Sequence, residues 1–189
     1  MNIFRNGFSD DDDTTLWLRL IEDDDTALDE LMKRCFKELY HYGTKFSKDD
    51  DLIKDCIQDV FLDLWERRHT LRTDVQVKPY LFVILRRRIY RIWQMNQLQT
   101  DLAAQPDFSV EYTVEENLIH SESARLKAHQ MQQLLDELPD RQKEVIYLKY
   151  FQEMDRDQIA QTMQITPQTV SNMLQIALKK LRGQWQEES

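Results

Sequence analysis

Glycine, proline and cysteine are all scarce in this chain, and each shortage narrows what it can be. Its 189 residues include only 3 Gly and 4 Pro, and apolar residues recur every three or four positions through its long segments. That combination predicts an all-helical protein. No stretch alternates apolar and polar residues with period two, so no sheet is expected. The 2 cysteines, Cys35 and Cys56, make neither a secreted disulfide scaffold nor a zinc site, and both sit among apolar helical residues, which predicts buried free thiols. The longest apolar run, "YLFVIL" at 80–85, is far too short to span a bilayer. The N-terminus "MNIFRNGFSDDDD" has no basic start followed by an apolar core, so it does not read as a signal peptide. A cytoplasmic location is expected.

The usual marks of catalysis are also missing. His41, His69, His120 and His129 have no metal-ligand spacing. There is no glycine-rich phosphate loop, and the carboxylates form solvated clusters rather than an isolated acid–base pair. The sequence therefore predicts no enzyme, no metal, no cofactor and no small-molecule substrate.

What is present is charge, unevenly spread. The formal net charge is −9, yet residues 1–30 hold ten acids and two arginines, a balance of −8 that leaves −1 for the rest. Within that remainder, "RRRIYR" at 86–91 and "KKLR" at 179–182 are strongly basic. The location of charge is more informative here than its total.

The periodicity predicts four helices in the first half: about Thr14–Ile21, Thr26–Phe46, Asp50–Arg68, and a fourth with Pro79 in its first position and an end near Gln97. The second should bury Leu28, Leu31, Met32, Cys35, Phe36, Leu39 and Tyr40. The third should bury Ile53, Cys56, Ile57, Val60, Phe61, Leu64 and Trp65. Residues 98–122 lose the pattern, contain a proline and are acidic, so they read as a linker. A second helical domain follows, about 123–185.

Near its end, Asp155 and Gln158 have capping-box spacing. After the turn "QIT", Thr166 caps a last helix with Pro167 in its first position, and Gly183 is placed to end it near Arg182. Two short helices joined this way form a helix-turn-helix. On the last helix Val170, Leu174, Ala177, Leu178 and Leu181 face inward, while Gln168, Asn172, Gln175 and Lys179 form an outward stripe. Amides there can read base edges, and hydroxyls and lysine can hold phosphates. An ordinary solvated helix would also have a polar outer face.

Two further surfaces stand out. On the fourth helix, Tyr90, Trp93 and the arginines suit an unpaired nucleic-acid strand, and equally a membrane or an acidic partner. On the third, Asp55, Gln58, Asp59, Leu62, Asp63 and Glu66 lie opposite the core stripe. They form either a solvated face or, given Leu62 among carboxylates, a dock for a basic partner helix.

With these residues in view, the chain resembles the compact two-domain extracytoplasmic-function group of bacterial RNA polymerase sigma factors. "DCIQDVFLDLWERR" (55–68) resembles the segment that docks on the polymerase clamp helices. The resemblance implies core-polymerase contacts by Asp55, Gln58, Asp59, Phe61, Leu62 and Trp65. "KPYLFVILRRRIYRIWQ" (78–94) resembles the helix that opens the minus-ten element. It implies contacts by Arg72, Lys78, Tyr80, Arg86, Arg87, Tyr90, Arg91 and Trp93.

The segment 138–182 resembles the domain that reads the minus-thirty-five element, implying contacts by Arg156, Thr166, Gln168, Thr169, Ser171, Asn172, Gln175 and Lys179. Arg87 stands where many relatives have Asn, Leu71 where an aromatic is frequent, Tyr80 where Trp is common, and Ile176 where many have Arg. The promoter bases are therefore not carried over.

The resemblance further implies that the acidic linker threads a basic polymerase channel and that an anti-sigma partner exists. The cluster "DDDD" at 10–13 is expected to be a solvated tail. The expected function is an alternative sigma factor. The alternatives are a free-standing helix-turn-helix regulator and a helical interaction protein that does not touch DNA.

Overall fold

The computed structural model describes residues 12–97, 108–110 and 122–187. They fall into two compact units divided near residue 102. Among the described residues there are helices and connecting turns and no strand, as composition predicts.

The first unit contains α1 (Asp13–Ile21), α2 (Asp25–Gly43), α3 (Asp50–Arg67), a single 3-10 turn (Arg68–Thr70) and α4 (Val77–Gln97). Each of the first three helices begins at an aspartate whose carboxylate accepts from the first turn: Asp12 from Thr15 N, Asp24 from Thr26 N, and Asp49 from Leu52 N. An aspartate here satisfies an orphan N–H and complements the helix dipole. Asp12 and Asp13 are thus not part of a solvated tail: one caps α1 and the other opens it, 3.6 Å from Arg34 Nη1. Residues 10 and 11 lie outside the described residues.

The core joins Leu16, Trp17 and Leu20 of α1 to Leu31, Leu39 and Tyr42 of α2, Ile53, Ile57 and Leu64 of α3, and Leu81, Phe82 and Leu85 of α4. The α2 stripe differs from the expected one. Ala27 and Tyr42 are buried, while Leu28, Met32, Phe36 and Tyr40 are only half-buried, because α1 and α4 cover adjoining sides of the helix. Tyr42 stacks on Phe82 at 4.7 Å. Cys35 and Cys56 are buried and free, and burial pushes the Cys35 thiol up to about 12.

Helix α4 starts two residues before Pro79, which therefore lies in its first turn rather than at its first position. A first-turn residue needs no intrahelical N–H partner, so proline is accommodated.

The second unit contains α5 (Glu122–Asp136), α6 (Asp140–Tyr150), α7 (Arg156–Met163) and α8 (Pro167–Glu187). Its core includes Leu134, Leu138, Val145, Leu148, Ile159, Met163, Val170 and Ala177. Helix α8 continues through Gly183 to Glu187. That glycine does not terminate it, since no glycine among the described residues takes a positive φ.

Part of the expected linker is also packed. Phe108 and Val110 are buried, Gln132 Nε2 donates to the Val110 carbonyl at 2.8 Å, and the Phe108 ring meets Tyr147 edge-on at 5.8 Å. Burying these two apolar side chains against the unit removes them from water, which the hydrophobic effect favours.

Two predictions follow from the first unit. Gly43 is buried where α2 meets α3, and a Cβ there would lie 2.5 Å from Ile53 Cγ2. Gly43→Ala should cost about 1–3 kcal/mol of stability in thermal or denaturant unfolding, and the same change should cost less when made in an Ile53→Ala background than in the wild type. The Asp24 carboxyl is held down to about 2, first by the Thr26 hydrogen bond and then by Arg19. A depressed folded pKa adds stability above the unfolded value of about 3.9 and loses it as pH falls toward the folded value. Near-UV circular dichroism should show stability falling between about pH 4 and pH 2. Asp24→Asn, which still caps, should flatten that limb.

Candidate nucleic-acid interfaces

The outward face of α3 carries Asp55, Gln58, Asp59, Leu62 and Glu66 exposed, with Asp63 half-buried. Leu62 is 59% exposed among these polar groups. Two carboxylates of this face have partners within the unit: Arg88 of α4 donates through Nη1 to Asp59 at 2.6 Å and through Nη2 to Asp63. Trp65 is half-buried, with the Arg68 guanidinium 4.1 Å above its ring. Phe61 is only 3% exposed. Its side chain belongs to the core, so it is corrected from a surface contact to a support beneath the face; the stripe that buries Ile57 and Leu64 takes Phe61 with it.

Beyond the carboxylates, α3, α4 and the loop between them enclose a groove. It is lined by Val60, Asp63, Leu64 and Arg67 of α3, Leu71 of the loop, and Tyr80, Ile84, Arg87, Arg88 and Arg91 of α4. Its floor is apolar and its rim holds four arginines against one carboxylate. Such a surface favours phosphates outside and a flat or apolar group inside.

The expected minus-ten residues divide between two faces of α4. Tyr80, Arg87 and Arg91 line the groove. Lys78, Arg86 and Tyr90 run down the other side at spacing four. There Lys78 pairs with Glu38 of α2 at 2.8 Å, Arg86 lies 4.6 Å over the Tyr90 ring, and Tyr90 meets Phe46 edge-on at 5.7 Å. Trp93, seven residues after Arg86, shares that second side and is half-buried. Arg72 sits in the loop and forks onto Asp74 with hydrogen bonds of 2.9 and 2.7 Å. Arg67, Leu71 and Arg88 are groove residues that the sequence reading did not select. They come from three different elements, which no helical period connects.

The loop is fastened from outside. Trp17 of α1 is fully buried; its Nε1–H donates to the Arg72 carbonyl at 2.8 Å, and its ring meets Tyr80 edge-on at 5.2 Å. Asp23, in the turn after α1, pairs with Arg68 and lies 3.3 Å from His69 Nε2.

In the second unit the expected caps are present. Asp155 and Gln158 form a reciprocal capping box on α7. Gln164 ends that helix in the left-handed region (φ 55), a conformation that turns the chain sharply. Thr166 Oγ1 then accepts from Thr169 N at 3.1 Å and starts α8. Gln168, Asn172, Gln175 and Lys179 are all exposed, and Gln168 Nε2 donates to Asn172 Oδ1 at 3.0 Å. Thr169 is half-buried with its hydroxyl 2.8 Å from that of Thr166, and half-buried Ser171 donates to the Pro167 carbonyl at 3.2 Å. Arg156, exposed at the start of α7, is 3.3 Å from Asp157. Lys180, next to Lys179, instead ties α8 to the end of α5 by donating to the Glu137 carbonyl at 2.8 Å.

Among the described residues no cluster of His, Cys, Asp and Glu could hold a metal ion, and no helix is long and apolar enough to cross a membrane.

Comparison with known proteins agrees with this arrangement. The family model for sigma-70 region 2 matches residues 31–98, and that for sigma-70 region 4 matches 128–181. The ECF RNA polymerase sigma factor SigM of Bacillus subtilis (strain 168) is 23% identical over 166 residues, covering 83% of this chain and 94% of SigM. The RNA polymerase sigma factor SigV of the same organism is 24% identical over 152 residues, covering 80% and 87%. In fold, the chain is similar to CnrH in complex with the cytosolic domain of CnrY, with a TM-score of 0.64 at 18% identity, covering 95% of this chain and all of that one. It is also similar to the sigma factor RpoE of Bartonella quintana in complex with the anti-sigma factor NepR, with a TM-score of 0.59 at 16% identity, covering 84% and 96%. With both sigma regions present in order, one on each unit, the chain belongs to the sigma-70 family, in its extracytoplasmic-function group, and is an alternative sigma factor directing promoter-specific transcription initiation.

Proposed function

We propose a division of labour for this sigma factor among three surfaces: the α3 face docks on core polymerase, the α3–α4 groove takes the opened minus-ten strand, and the start of α8 reads the minus-thirty-five duplex. The observation that carries it is the separation of charge in the first unit. Acidic Asp55, Asp59 and Glu66 surround exposed Leu62 on one surface, while Arg67, Arg87 and Arg91 rim an apolar groove on another.

The docking face offers carboxylates to a basic partner helix and Leu62 to an apolar contact. Desolvating Leu62 supplies affinity, and the carboxylates supply orientation and a faster encounter. In the groove, Tyr80 and the apolar floor can receive a base removed from its stack, while Arg87 and Arg91 hold the flanking phosphates. Arg87, at a position where many relatives have Asn, adds a phosphate partner to this rim.

The α8 surface works differently. Gln168 and Asn172 are already hydrogen-bonded to each other, so less side-chain entropy is lost when they meet base edges in the major groove. Thr166, Thr169, Ser171, Lys179 and Arg156 would position the helix on phosphates, and Gln175 would extend the base-reading row. Lys78, Arg86, Tyr90 and Trp93, on the opposite side of α4, support the helix. They do not share one strand path with the groove.

Net acidity serves this scheme. A chain of charge −9 gains little from non-specific phosphate contacts, so promoter binding waits for polymerase to contribute its own. The acidic linker suits passage through a basic polymerase channel, and the similarity to the sigma factor RpoE solved with the anti-sigma factor NepR supports regulation by such a partner.

Two variants test the assignment. Asp55→Ala with Leu62→Ala should weaken co-elution with core polymerase at least tenfold without changing the melting temperature. Retained co-elution would move the dock elsewhere. Gln168→Ala with Asn172→Ala should leave polymerase binding intact but reduce discrimination for the minus-thirty-five element by about 1–3 kcal/mol per lost base contact. Run-off transcription with minus-thirty-five substitutions reads that difference, and loss of polymerase binding by this pair would overturn the separation of roles.

A further inference from the structure

We infer that α1 and the turn after it position the minus-ten loop, with Trp17 and Asp23 as the two positioning residues. The inference rests on the groove's assignment to the minus-ten strand and adds the element that sets the groove's shape. The matched sigma-70 region 2 begins at residue 31, so both residues lie outside it.

Within itself, the loop between α3 and α4 is held by the exposed Arg72–Asp74 ion pair. After the 3-10 turn Arg68–Thr70, residues 71–76 take no regular structure, yet Leu71 forms one wall of the groove and Tyr80, just beyond, forms another. The chain fastens this loop at two points, both from α1 and its turn.

At the loop's start, Asp23 takes the left-handed conformation (φ 72), which aspartate tolerates better than most residues. Its Oδ1 pairs with Arg68 and sits 3.3 Å from His69 Nε2. Arg68 in turn donates to the Trp65 carbonyl at 2.6 Å, so one arginine links the α1–α2 turn to the end of α3.

At the loop's middle, the Trp17 indole has no exposure to water, and its N–H must find a protein acceptor. It finds the Arg72 carbonyl at 2.8 Å. The same ring supports Tyr80 edge-on at 5.2 Å. One buried side chain therefore sets the spacing between the two walls, and a backbone hydrogen bond fixes the loop without regard to the loop's own side chains. A pocket for an unstacked base loses selectivity when such a support is left loose.

The test uses reconstituted holoenzyme carrying the full-length chain, on a promoter found by sequencing transcripts made from genomic fragments. Trp17→Phe keeps an aromatic ring but removes the donor and some buried volume, so its thermal stability is measured alongside. Asp23→Asn keeps the left-handed turn and removes the charge. Opening of the minus-ten element is followed by 2-aminopurine fluorescence, and selectivity by comparing single-base substitutions in the minus-ten and minus-thirty-five elements.

Each variant should bind core polymerase as the wild type does and open the promoter roughly five- to tenfold less well, the factor expected for about one hydrogen bond. Each should lose discrimination at minus-ten bases and keep it at minus-thirty-five bases. A merely structural role for α1 would reduce both elements together, in step with thermal stability, and would overturn the inference. Arg87→Ala serves as the groove control. If it loses minus-ten discrimination while Trp17→Phe and Asp23→Asn keep it, the positioning role alone falls; if all three keep it, the groove assignment falls and takes this inference with it.

Discussion

Arg88 sits where the two opposing charge patterns of the first unit meet. Helix α3 presents a row of carboxylates and α4 a row of arginines, and the two helices pack side by side. Had every charge on both rows been left to solvent, the acidic face and the basic groove would have merged into one surface of mixed sign. The fork from Arg88 to Asp59 and Asp63 neutralises the seam. Leu62 and the remaining carboxylates then face one way, and Arg67, Arg87 and Arg91 face another. Opposite charges a few ångströms apart interact far more strongly than charges separated by more than a screening length. A single well-placed arginine can therefore divide a surface that net charge describes poorly.

The aspartate clusters are better understood through local chemistry than as a field. Asp12, Asp24, Asp49 and Asp155 each accept hydrogen bonds at the start of a helix. Asp23 and Asp74 each hold an arginine, the first at the start of the loop between α3 and α4 and the second within it. In a chain with few glycines and prolines, capping carboxylates do much of the work of starting helices.

The two proposed DNA surfaces are built by different physics. In the second unit, the surface is one helix whose caps, register and outward amides all follow from contiguous sequence. In the first, the groove is assembled from α3, an irregular loop and α4, with α1 beneath. A rigid helix presents side chains at fixed spacing by itself, whereas a loop holds a shape only when other elements supply hydrogen bonds to its backbone. Trp17 and the Arg72 carbonyl, 55 residues apart, meet that need.

Much was legible in the sequence alone. The all-helical class, the two domains, the capping box at Asp155, the cap at Thr166 and the outward stripe Gln168–Asn172–Gln175–Lys179 all follow from helical period and capping chemistry, which act over a few residues. Tertiary structure decided the rest. It drew Phe61 into the core and tied Asp59 and Asp63 to Arg88. It sent Lys78, Arg86 and Tyr90 to the side of α4 away from the groove, and packed Phe108 and Val110 of the expected linker against the second unit. Helical spacing tells which side chains share a face, but it carries no information about which neighbour will cover that face. That depends on contacts between residues far apart in the chain.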